Sequence, residues 1–138
     1  MIAAAVQGPG FFAPLKMIAA TVAGAGAMRG GVGMILLGLM LHMIMSVALG
    51  VIFAALVPAR WSAGVLGAVG GLFGLAVFLV MTWLVLPWAN PLMFQNVNLG
   101  IFFIAHLVFG VSLGLVVSSG RERTHAGARH QPAERVRV

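Results

Sequence analysis

Three stretches of this chain run without a formal charge for about the length of a membrane crossing, and no other feature constrains its fold as tightly. Residues 34–56, 64–86 and 99–117 contain no Asp, Glu, Lys or Arg. A helix rises 1.5 Å per residue, so ~20 apolar residues cross the ~30 Å hydrocarbon core of a bilayer. Overall 62% of the residues are hydrophobic and 7% charged, which leaves too little polar surface to wrap a soluble domain. The expected fold class is therefore all-α, an integral membrane helical bundle whose solvent is lipid.

The ends of these runs are marked by turn residues. Pro58-Ala59-Arg60-Trp61 precedes the second run, and Pro87-Trp88-Ala89-Asn90-Pro91 follows it. The third run stops at Ser118-Ser119-Gly120, where Arg121-Glu122-Arg123 begins a polar stretch. Residues 120–138 hold five Arg and too few apolar side chains for a core, so a disordered basic tail is expected there. A fourth span is expected over residues 11–28, although Pro14, Lys16, Gly24 and Gly26 also suit a re-entrant or interfacial segment. Residues 1–6 lack a basic start, which argues against a cleaved signal peptide.

Charge places the ends. Most of the charged residues lie after Ser119, Arg60 sits in the loop between the first two uncharged runs, and residues 86–99 carry no charge. The positive-inside rule then puts the C-terminus in the cytoplasm, with Arg29 on the opposite side. The Ala, Gly and Arg usage suggests a bacterial chain, hence a multi-pass protein of the inner membrane. Trp61, Trp83 and Trp88 near span ends fit aromatic belts. Because the basic residues are concentrated in a tail beside a nearly neutral body, a pI near 12 implies no nucleic-acid partner.

An internal match carries more information. His42-Met-Ile-Met-Ser46-Val-Ala-Leu-Gly50 aligns with His106-Leu-Val-Phe-Gly110-Val-Ser-Leu-Gly114 at an offset of 64 residues. This reads as duplication of a helix hairpin, with residues 9–56 and 64–119 as tandem copies, and it favours four helices. Gly38, Ser46 and Gly50 around His42, and Gly110 and Gly114 after His106, form small-residue stripes that let backbones approach closely. The expectation is that these two stripes face each other.

Each histidine lies seven or eight residues from the same membrane face, roughly 12 Å deep by helical rise. One reading is structural: neutral imidazoles hydrogen-bond across the interface to Ser46, Ser112, Thr82 or one another, and so set helix register. The other is chemical: His42 and His106 are axial ligands of haem b or a related tetrapyrrole, and Arg29 meets a propionate. Helices that touch through small residues favour the first reading, because a macrocycle holds its ligand helices apart.

Weaker signals remain. Met34, Met40, Met43 and Met45 are soft ligands near His42, but they do not share one helical face, and no metal site is expected from them. Residues 87–98 are rich in amides, which suits either a ligand or an ordinary turn in which Asn98 caps the next helix. The Gly-rich stretches near residues 8–10 and 30–33 lack the features of a phosphate loop. Glu122 and Glu134 are the only carboxylates and Cys is absent, so no acid pair, oriented triad or thiolate chemistry can be assembled in the membrane. The expected function is non-enzymatic: a structural or accessory subunit that self-associates or joins a larger membrane complex. The alternatives are a haem- or pigment-binding subunit and a small transporter or proton-relay component, the last weakened by the lack of a membrane carboxylate.

Overall fold

The computed structural model describes residues 10–58 and 60–129, and every regular element within them is helical. Helix α1 covers Ala13–Ala23, α2 covers Val32–Leu56, α3 covers Ala63–Ala89, α4 is the short Pro91–Asn96, and α5 runs over Leu99–Arg129. Helix α2, α3 and residues Leu99–Glu122 of α5 are each long and apolar enough to cross a membrane. The three long uncharged runs thus form three long helices in an all-α bundle.

The first apolar segment takes a different form from a single span over residues 11–28. Helix α1 has 11 residues, about 16 Å of rise, roughly half the hydrocarbon thickness. Pro14 sits in its first turn, where a missing N–H costs nothing. Gly24 ends it with φ 67°, a left-handed conformation that glycine adopts freely, and a 3-10 turn at Ala25–Arg29 leads back into α2. Residues 1–6, read as unlike a signal peptide, lie outside the described residues.

The expected stop at Ser118-Ser119-Gly120 is also corrected, because α5 continues as helix to Arg129. Two contacts carry it past the serines. Ser119 turns its hydroxyl back to donate to the Leu115 carbonyl at 3.0 Å, so it satisfies itself within the helix. Arg121 donates to the carbonyls of Pro58 at 2.8 Å and Val57 at 3.0 Å, just past the C-terminus of α2. Residues 130–138 of the tail lie outside the described residues.

Helix α3 packs chiefly on α5, and α1 chiefly on α2, so pairing falls within each half of the internal match. The close approaches are glycine to backbone. A Cβ on Gly70 would collide with the Gly110 carbonyl, one on Gly74 with the His106 carbonyl, and one on Gly114 with the Leu66 carbonyl. The order of these contacts shows that α3 and α5 are antiparallel. Likewise Gly38 on α2 accepts no side chain against the backbone of Leu15 on α1. Shifting that pair by 64 residues lands on Leu79 and Phe102, and Phe78 beside Leu79 does touch Phe102, ring centres 5.9 Å apart.

The small-residue stripes therefore do not face each other as expected. Gly110 and Gly114 face α3 because Gly70 and Gly74 form an equal stripe there, and two glycine surfaces approach more closely than glycine and the side chains of α2. Helices α2 and α5 do meet, but lower down, where Gly50 lies against Leu113 and Phe53 packs with Val57, Leu66, Phe73 and Leu113. A second apolar cluster, Ala19, Ala20 and Ala27 with Met34, Leu37 and Leu92, closes the other end.

Candidate functional site

Between the two clusters the helices stand apart around an apolar cavity of about 400 Å³. Both halves of the chain contribute: Ile18, Leu41, His42 and Met45 from the first, Met81, Val85, Phe102 and His106 from the second. The two histidines expected at equal depth thus share one space, His106 half-buried and His42 exposed. Their helices meet at the Gly50 contact and through Arg121, and at the histidine level the cavity lies between them.

The His106 ring is fixed by its own helix. Its Nδ1 lies 2.8 Å from the Phe102 carbonyl, and a carbonyl can only accept, so Nδ1 carries the hydrogen. In the neutral tautomer Nε2 then keeps its lone pair. Phe102 and Phe78 hold the ring by edge contacts at 4.2 and 6.1 Å between centres. This replaces the expected partners: neither Ser46, Ser112 nor Thr82 bonds an imidazole, and the buried Thr82 hydroxyl has no hydrogen-bond partner among the described residues.

Two further features of the wall were not read from the sequence. Met81–Val85 forms a π-helical turn, and its first and last residues line the cavity. Such turns insert a residue into a helix and recur at functional sites; Pro87, six residues after Met81, is the one signal of a disturbed ladder here. Asn90 is buried, donates to the Met17 carbonyl at 2.6 Å and the Thr21 hydroxyl at 2.9 Å, and accepts from the Met93 N–H at 2.9 Å. It both caps α4 and ties α1 over the cavity, so the amide-rich loop contains a structural clamp. Asn98 accepts from Ile101 N–H at 3.1 Å, the expected cap of α5.

The remaining candidates lie elsewhere. Arg29 is exposed on the 3-10 turn and is not part of the cavity wall. Gly38, Gly110 and Gly114 are buried in helix contacts, Gly50 is half-buried against Leu113, and Ser46 is half-buried outside the wall. Of the four methionines near His42, Met45 reaches the cavity, whereas Met34 packs on the alanine cluster. No group of three metal-ligating side chains occurs among the described residues.

The chain matches no family model, no curated protein and no solved structure. What the site can do must be argued from its own atoms. It offers an apolar wall, one imidazole nitrogen with a fixed orientation and a free lone pair, and a second imidazole opposite it in sequence register.

Proposed function

We propose that this chain is a small non-enzymatic membrane protein that works by binding, keeping an apolar guest molecule between its helices beside His42 and His106. The observation that carries this reading is the shared cavity. Its ~400 Å³ falls in the range of small-molecule sites, ~300–1,000 Å³, and like them it has an apolar wall with few polar groups. Asn90 is already satisfied by three hydrogen bonds, so it holds the wall and leaves the imidazoles as the recognition groups. No carboxylate or thiol stands in the wall beside the two imidazoles.

Native mass spectrometry of the full chain released from mild detergent tests this. The parent should carry a stoichiometric small-molecule adduct, and Val85→Phe, which fills the cavity, should lose it. A bare parent, or an adduct unchanged in Val85→Phe, would overturn the reading.

The accessory-subunit reading is supported by α2, whose long apolar side chains Leu36, Leu39, Met40, Met43 and Val47 are all exposed. In a bilayer these meet lipid or a second helix surface, and a cross-linked dimer in membranes would favour the latter. A bacterial inner-membrane location with the C-terminus in the cytoplasm is the orientation we favour. Its support is that Arg121 bonds into the loop that carries Arg60, so the basic residues gather at one end.

A further inference from the structure

We infer that the guest is an iron tetrapyrrole, ligated axially by His106 Nε2 and by the His42 imidazole. This rests on the reading of the cavity as a guest site and deepens it. Two imidazoles face one space, and no third His, Asp, Glu or Cys joins them among the described residues. A bare zinc ion takes three or four protein ligands, so two imidazoles leave it incomplete. A metal whose four equatorial positions are already filled by a macrocycle needs two axial nitrogens and nothing more.

Metal-bound imidazoles characteristically donate their other N–H to a carbonyl or carboxylate, which fixes tautomer and ring plane. The bond from His106 Nδ1 to the Phe102 carbonyl is that arrangement. With Nδ1 engaged on its own helix, the nitrogen that His106 has left for a guest is Nε2, which carries a lone pair.

Helices that ligate a macrocycle between them cannot touch at the ligands. The glycines of α5 are turned to Gly70 and Gly74 of α3, and α2 meets α5 two turns below the histidines, at Gly50 and Leu113. The obstacle that close packing of the two histidine helices would pose is therefore absent. Phe102 and Met45 in the wall are suitable apolar neighbours for a flat conjugated ring.

The test is titration of the purified full chain with hemin, read by absorption. The parent should give a low-spin spectrum at one hemin per chain, His42→Ala and His106→Ala should each lose it, and Ser46→Ala should keep it. His106→Met guards against misfolding, because a thioether can still ligate: it should retain bound haem with a raised reduction potential. A spectrum shared by all variants shows adventitious hemin and overturns the proposal. Failure of the parent to bind hemin while its native adduct persists overturns the tetrapyrrole and leaves the cavity reading standing. Failure of both removes both.

Discussion

The carbonyl oxygen of Gly70 on α3 occupies the place where a side chain on Gly110 of α5 would begin, so these two helices meet backbone to backbone. Gly74 and Gly114 extend the contact a turn to either side. In lipid, where apolar side chains gain little by leaving the solvent, such close packing is the main source of helix association. It also shapes the site, because the glycine surface of α5 is taken up by α3 and is not available to α2.

Gly110→Ala should therefore destabilise the bundle by about 1–3 kcal/mol, the cost of forcing an extra methyl into a packed contact. Gly33→Ala is the control. A Cβ at Gly33 meets nothing within 4 Å, and removing a helical glycine gains up to about 1 kcal/mol. Thermal unfolding in mild detergent should separate the two, and equal melting temperatures would place the α5 stripe against lipid.

Asn90→Ala should release α1 without disturbing the α3–α5 pair. The substitution removes three hydrogen bonds from a buried amide and leaves the Met93 N–H without its cap. The expected loss is about 1–3 kcal/mol. Hydrogen exchange resolves it: residues 13–23 should exchange faster, and residues 66–78 should not change.

How far the sequence reveals this molecule depends on whether the signal is local. Uncharged length alone defines the three long helices, and Asn98 is legible as a cap because capping is a contact three residues away. The choice of partner for Gly110 is not local. It depends on the rival stripe at Gly70 and Gly74, whose four-residue spacing is visible in the sequence and is the signal that would have found it. The pairing of His42 with His106 is suggested by the 64-residue match, whereas the space between them is not legible, since a cavity is set by which other surfaces touch. The extent of α5 is hidden for a similar reason: Arg121 gains its acceptors only when the loop at Val57 and Pro58 is folded beside it.

Arg121→Ala should fray that end. The C-terminal carbonyls of α2 lose their cap, at a cost of about 1 kcal/mol for a partly exposed charged hydrogen bond. Amide exchange should rise near residues 54–58 and 118–124, and Arg121→Lys should recover only part of the protection, because an ammonium cannot fork to two carbonyls as a guanidinium does. Unchanged exchange would show that the cap contributes nothing.

The orientation predicts a silent periplasmic reporter. Arg60 and Arg121 share one end, and residues 86–99 at the other are uncharged. An alkaline phosphatase fused after Val138 should be inactive, whereas one inserted after Asn96 should be active. Activity at Val138 reverses the topology.

His42 and His106 line the same cavity, and this shared space can be measured directly. The chain has no cysteine, so a His42→Cys, His106→Cys double variant carries the only two thiols. A short bifunctional thiol reagent should bridge them within one chain, and the intact mass should show one linker attached at both ends. Two linkers per chain, each attached at one end, in a variant that keeps the helical spectrum of the parent, would contradict the shared cavity.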